Sequence, residues 1–124
     1  MSKTILIVDD DRESACFLKN GLQRHGFEVW VASDGVEAKE QIRLQVPEVM
    51  LLDLVMPRFD GWQLLQWLRL EGYSIPTIVV SAQDRMDDLK RGVIEADTYL
   101  VKPVTIEDVI RAVAVVRGLE KKDG

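Results

Sequence analysis

Four short apolar runs in this chain each end abruptly on a charged or hydroxyl residue. Residues 5–8 lead into Asp9 and Asp10, residues 49–52 into Asp53, residues 77–80 into Ser81, and residues 99–101 into Lys102. Continuous β-branched and leucine-rich runs are typical of strands buried on both faces of a parallel sheet. Ligands of such open sheets bind beyond the carboxyl ends of the strands. The pattern therefore predicts that these polar side chains converge on one pocket.

Helical patterns alternate with the strand-like runs, and glycine, proline and capping residues separate them. The predicted strands are 5–8, 27–32, 49–52, 77–80 and 98–101, and the predicted helices are 11–25, 34–45, 62–70, 85–93 and one beginning after Thr105. Five βα units with right-handed crossovers favour a doubly wound α/β sandwich. We predict a flavodoxin-like (βα)5 parallel sheet with strand order 2-1-3-4-5, in which strands one and three are neighbours.

Composition restricts the classes of protein to which the chain can belong. Its 124 residues suit a single domain spanning 1–124, with a flexible tail over about 119–124. A net charge of −5 does not suit a surface for the phosphate backbone, so we expect no direct nucleic-acid binding. Cys16 is the only cysteine and no stretch is long and apolar enough to span a bilayer. We therefore expect a cytoplasmic protein with no membrane contact.

The predicted pocket is suited to phosphoryl transfer. Crowded carboxylates repel each other, and Mg²⁺ relieves this repulsion while binding the oxygens it prefers. Asp10, Asp53 and an incoming phosphoryl group would satisfy such an ion. Lys102 could then neutralise a phosphate oxygen, and Ser81 could donate a hydrogen bond to another. A carboxylate can itself be the nucleophile, because aspartate forms aspartyl-phosphate intermediates. No Ser–His or Cys–His pair competes with it, since His25 is the only histidine and is predicted at a helix end.

The motifs that carry these residues resemble a known family along nearly the whole chain. They are Ile-Leu-Ile-Val-Asp9-Asp10, Leu-Leu-Asp53-Leu-Val-Met-Pro57 followed by Asp60-Gly61, Val-Ser81-Ala82 and Tyr99-Leu-Val-Lys102-Pro103. Their order and spacing are similar to those of the receiver domains of two-component response regulators. Each motif alone is weak, whereas the set is specific.

The resemblance implies a role for each residue of the pocket. It implies that Asp53 is the phosphoacceptor and takes a phosphoryl group from the phosphohistidine of a histidine kinase or phosphotransfer protein. The implied Mg²⁺ ligands are Asp9, Asp10, Asp53 and the backbone carbonyl of Val55. Lys102 and Ser81 would contact the phosphoryl group, and Ser81 and Tyr99 would form the switch. Such a protein catalyses only its own phosphorylation and dephosphorylation, and no other cofactor is implied.

The same resemblance implies an output surface, formed by predicted helix 85–93, strand 98–101 and the last predicted helix. This surface would contact a downstream protein or a fused output domain, and phosphorylation-dependent homodimerisation through it is a further hypothesis. Two other features concern the segment around strand five. The family usually has glycine at the position of Glu95, and its peptide bond between Lys102 and Pro103 is usually cis.

Two alternative functions stay open at this point. The Asp-x-Asp pattern of Asp9 and Asp11 also matches the nucleophile motif of haloacid-dehalogenase-like phosphatases, although this interpretation leaves Asp53 without a role. The chain could also be a receiver-fold interaction module that is not phosphorylated. Individually, the polar residues are also compatible with ordinary helix ends and turns, and Tyr99 with half-buried packing.

Overall fold

The computed structural model describes residues 3–53, 61–81 and 96–122. Within these ranges five strands form one parallel sheet in the order β2-β1-β3-β4-β5. The strands are β1 (Thr4–Val8), β2 (Glu28–Ala32), β3 (Val49–Leu52), β4 (Thr77–Ser81) and β5 (Thr98–Val101). This order confirms the predicted flavodoxin-like α/β fold.

The described part of the chain contains four helices, three of which connect strands. They are α1 (Arg12–Arg24), α2 (Gly35–Leu44), α3 (Gly61–Leu70) and the C-terminal helix (Ile106–Lys122). The Asp34 carboxylate caps α2 by accepting a 2.8 Å bond from the Glu37 N–H. At the C-terminal helix, Thr105 Oγ1 accepts from the Asp108 N–H, and the Asp108 carboxylate accepts from the Thr105 N–H. These reciprocal bonds satisfy N–H groups that would otherwise lack partners at the helix start.

Side chains of the sheet alternate between two hydrophobic cores. Ile5 and Ile7 lie in a cluster with residues of α1 and the C-terminal helix. Leu6 and Val8 lie in a second cluster, with residues of α2 and α3. Because both faces of β1 are covered, its residues 5–8 are all apolar rather than apolar at alternate positions.

Several predicted boundaries differ from those in the structure by one residue, and the largest difference is at the end of the C-terminal helix. The C-terminal helix continues to Lys122, whereas a tail was expected from residue 119. Leu-Glu-Lys-Lys is a run of good helix formers, which accounts for the extension. The peptide between Lys102 and Pro103 is cis, as the resemblance implied. Predicted helix 85–93, Val55 and Glu95 lie outside the described residues.

The helices also bear on contact with membranes. In the described ranges, no helix has the length and apolar character that crossing a bilayer requires.

Candidate functional site

The carboxyl ends of β1 and β3 place two acidic residues next to each other. Val8 and Leu52, the last residues of these strands, are partners in the parallel ladder. The Asp53 N–H donates a 2.9 Å bond to the Val8 carbonyl, and the Asp9 N–H donates a 3.0 Å bond to the Ala32 carbonyl. Both acidic residues therefore have backbones that the sheet holds in place.

Three carboxylates converge at this edge of the sheet. Each of Asp9, Asp10 and Asp53 offers an oxygen, and these oxygens all lie within 4.8 Å of one another. Asp9 is buried, with 5% of its surface exposed, whereas Asp53 is partly buried and Asp10 is exposed. Carboxylate oxygens at this spacing are suited to a hard divalent cation such as Mg²⁺, which also keeps several waters. The residues thus fit the ion that the resemblance implies.

Lys102 brings the compensating positive charge. Its Nζ lies 3.3 Å from Asp9 Oδ2 and 3.3 Å from Asp53 Oδ2, so one ammonium group bridges two carboxylates. Partial burial by itself would lower the pKa of Lys102. Attraction to Asp53 and Asp9, with the hydrogen bonds to both, outweighs burial and holds the pKa above its usual value of 10.5. Lys102 is therefore positively charged throughout the neutral pH range.

Ser81 contributes a hydroxyl group that is buried at the carboxyl end of β4. It is the last residue of β4 and only 1% exposed. Its backbone carbonyl accepts a 2.9 Å bond from the Lys102 N–H, which joins β4 to the segment carrying Lys102. The Ser81 Oγ is buried and has no hydrogen-bond partner in the part of the chain that the structure describes. A buried hydroxyl without a partner is costly, and a bound oxyanion would supply the missing acceptor.

Three other residues to which the sequence analysis gave roles are Tyr99, Val55 and Asp11, and none of them is among the pocket residues described above. Tyr99 lies on β5 and is 41% exposed, and its hydroxyl oxygen accepts a 3.3 Å bond from the Ala96 N–H. Val55 falls in a part of the chain that the structure does not describe. Asp11, which the hydrolase alternative requires in the pocket, directs its carboxylate to the start of α1, where it accepts bonds from the Glu13 and Ser14 N–H groups.

A groove beside Lys102 was not predicted from the sequence. Its volume is about 420 Å³, and it lies between α1 and the segment that follows β5. It is lined by Ser14, Phe17, Leu18, Lys102, Pro103 and Val104. Phe17 is 52% exposed, which is unusual for a large aromatic side chain in a surface helix. The sequence contained one signal of this exposure. The buried apolar residues of α1 are Ala15, Leu18 and Leu22, and Phe17 lies outside that stripe.

Comparison with known proteins gives consistent matches. The family described as response regulator receiver domain matches residues 5–114. Among curated proteins, the response regulator MprA of Mycobacterium ulcerans is 38% identical over 125 residues, covering 99% of this chain and 54% of the relative. MprA of Mycobacterium avium is 37% identical over 121 residues, covering 96% and 53%. The chain therefore spans about half the length of the curated relatives it matches.

Two solved structures that match this fold are also receiver domains. The receiver domain of the Francisella response regulator 1452 has 32% identity and a TM-score of 0.83, covering 96% of this chain and 99% of that one. A CheY-like receiver domain protein from Methanospirillum hungatei has 28% identity and a TM-score of 0.86, with full coverage of both chains.

Proposed function

The chain belongs to the response regulator receiver domain family of two-component signalling, and we propose that it is a phosphoacceptor that takes a phosphoryl group onto Asp53. The observation that carries this proposal is the bridging position of Lys102 between Asp9 and Asp53. An ammonium beside a nucleophilic carboxylate can stabilise the charge that a phosphoryl group brings. The Ser81 hydroxyl is buried at the same edge of the sheet without a hydrogen-bond partner among the described residues, and it supports the proposal independently.

The proposed reaction is a transfer from phosphohistidine. An oxygen of Asp53 attacks phosphorus and forms a P–O bond, while the P–N bond to the donor imidazole breaks and that nitrogen keeps the electron pair. Lys102 neutralises charge on one equatorial oxygen, and Ser81 donates a hydrogen bond to another. Asp9, Asp10, Asp53 and the carbonyl of Val55 would hold Mg²⁺, which neutralises phosphoryl charge when it is bound.

We propose that the donor docks at the groove beside Lys102. Asp53 is partly buried at the sheet edge, so a donor imidazole reaches it only if the donor covers the rim of the pocket. The groove offers the exposed ring of Phe17 together with Pro103 and Val104, immediately next to Lys102. Such an apolar rim fits a helix face of a histidine kinase or phosphotransfer protein.

We propose that the output surface includes the exposed residues of β5 and of the C-terminal helix. Tyr99 and Val101 are exposed on β5, and Val115 of the C-terminal helix is 55% exposed. Ile110 of the same helix is not a suitable probe of this surface, because it packs against the hydrophobic core. Its substitution would disturb the fold as well as any contact with a partner. Val115→Asp is therefore the better probe for contact with a downstream protein, a fused output domain or a second copy of the chain.

Incubation with acetyl phosphate tests the proposal. We expect one phosphoryl adduct by intact-mass measurement in Mg²⁺, and none in excess chelator or in Asp53→Ala. Asp11→Ala is the matched control, because Asp11 caps α1 and should not be needed for the adduct. No adduct in the wild type, or an unchanged adduct in Asp53→Ala, would refute the phosphoacceptor function.

The hydrolase alternative makes the opposite prediction. A phosphatase of that class would release inorganic phosphate catalytically from a small phosphoester and would require both Asp9 and Asp11. The use of the Asp11 carboxylate as the cap of α1 disfavours it.

A further inference from the structure

The turn that leads into β5 is fixed to the neighbouring strand through Asp97. The Asp97 N–H donates a 3.0 Å bond to the Thr77 carbonyl, and the Thr77 N–H donates a 2.8 Å bond to Asp97 Oδ2. Thr77 is itself buried at the start of β4. The two bonds therefore hold the backbone beside Asp97, including the N–H of Ala96, in a defined position.

The Ala96 N–H holds the side chain of a residue in β5, the strand that follows the turn. The N–H donates to the hydroxyl oxygen of Tyr99, three residues further on, at 3.3 Å. The tyrosine ring is therefore directed towards the amino end of β5. Ser81 pairs with Val101 at the opposite, carboxyl end of these strands. The hydrogen bond thus keeps the Tyr99 ring directed away from the end of the sheet where Ser81 lies.

We propose that this turn is a latch: the Ala96 N–H, positioned by Asp97, holds Tyr99 in the conformation of the unphosphorylated protein. This inference rests on the proposed function, since it assumes that phosphorylation at Asp53 is coupled to movement of Tyr99. A bond made in one of two conformations stabilises that conformation alone. Breaking the latch is consequently part of the free-energy cost of phosphorylation, and its loss favours the phosphorylated state.

The latch is weak enough to be released. Tyr99 is 41% exposed, so water can replace the lost hydrogen bond, and the 3.3 Å separation is slightly longer than the usual range of about 2.7–3.2 Å for such bonds. A bond of this kind contributes about 0.5–1.5 kcal/mol, which corresponds to a change of about two- to tenfold in a binding constant.

Binding of beryllofluoride with Mg²⁺, which imitates a phosphoryl group on a carboxylate, measures the latch directly. Tyr99→Phe removes the acceptor and should tighten binding about two- to tenfold. Asp97→Ala should have a similar effect, and the double variant should gain no more than either single variant, since all three remove the same latch. In the wild type, the Ala96 amide resonance should shift on binding, and in Tyr99→Phe it should shift much less.

Two matched variants separate the latch from other causes. Tyr73→Phe removes a hydroxyl from the tyrosine that packs against Trp67, and should leave beryllofluoride binding unchanged. Asp97→Asn keeps a side-chain oxygen that can accept from the Thr77 N–H, and should also resemble the wild type.

The possible results distinguish the latch from the function on which it rests. Absence of Mg²⁺-dependent beryllofluoride binding in the wild type would refute the phosphoacceptor function. Normal binding with no tightening in Tyr99→Phe, or with an Ala96 amide that does not respond, would overturn the latch alone. A destabilised Asp97→Ala does not affect this decision, since Tyr99→Phe leaves the turn intact.

Discussion

Lys102 and Ser81 differ in how well their polar groups are satisfied. Lys102 Nζ contacts Asp9 and Asp53, and these contacts raise its pKa despite partial burial. Ser81 Oγ is buried without a hydrogen-bond partner among the described residues. A group that pays a desolvation cost without compensation is typical of a site arranged for a ligand rather than for stability. Ser81 should therefore affect stability and phosphorylation in opposite directions.

Ser81→Ala tests this opposition. Removal of the unsatisfied hydroxyl should raise the free energy of unfolding by about 1 kcal/mol in urea titrations with chelator present. The rate of phosphorylation by acetyl phosphate should fall about tenfold or more, because a hydrogen bond to a charged group is lost. Ser33→Ala is the control, since its exposed hydroxyl bonds to Glu37 and lies outside the pocket. A less stable Ser81→Ala protein would contradict this account of Ser81.

At the scale of elements, α1 is the helix that joins packing to function. One side of it packs against the C-terminal helix, and Phe17 lines the groove beside Lys102. Gly21 of α1 is buried against Ile106, and a Cβ at this position would overlap the Cδ1 and Cγ1 atoms of Ile106. The close approach of the two helices therefore depends on the missing side chain.

Gly21→Ala should lower the free energy of unfolding by about 1–3 kcal/mol, because overpacking outweighs the helix propensity gained. Ile106→Ala should relieve the overlap, so the double variant should be more stable than the sum of the single effects predicts. Gly118→Ala is the matched control: this glycine also lies in a helix, but a Cβ added there would meet no described atom of another element within 4 Å. Equal effects of the two alanine substitutions would argue against close packing at Gly21.

The groove on the other side of α1 makes a prediction about the phosphodonor. Phe17→Ala should slow phosphorylation by a histidine phosphotransfer protein about tenfold, the loss expected for an aromatic anchor worth about 1–2 kcal/mol. It should leave phosphorylation by acetyl phosphate unchanged, because the small donor needs no docking surface. Leu44→Ala is the control, as Leu44 is also exposed but does not line this groove. Equal slowing with both donors would place the effect of Phe17 in the pocket instead.

At the scale of the whole molecule, the fold brings acidic residues from distant parts of the chain to one edge. Repulsion among Asp9, Asp10 and Asp53 opposes folding, and a bound cation should relieve it. Mg²⁺ at about a hundred times its Kd should raise the free energy of unfolding by about 2.7 kcal/mol. Asp10→Asn, at the exposed member of the cluster, should markedly reduce this increase in urea titrations. An equal increase in the variant would remove Asp10 from the proposed ligands.

The sequence predicted those parts of the molecule that follow from local pattern. Strands β3 and β5 have the predicted bounds, because each apolar run ends where a polar residue begins, although only β3 is buried at every position. The starts of α2 and of the C-terminal helix lie within one residue of the predicted starts, because Asp34 and Thr105 are residue types that cap helices. The Gly21 contact depends on which two helices pack together, and the Ala96 bond to Tyr99 depends on a rotamer. A periodic sequence pattern encodes neither the pairing of helices nor a side-chain rotamer, so only the structure reveals these two contacts.

The account as a whole depends on the identity of the phosphorylated residue. Borohydride reduction of the acyl phosphate, followed by peptide sequencing, converts a phosphorylated aspartate into homoserine and so marks its position. After incubation with acetyl phosphate and Mg²⁺, we predict homoserine at position 53 alone. Homoserine at position 9 or 11, with none at position 53, would contradict the account and favour the hydrolase alternative.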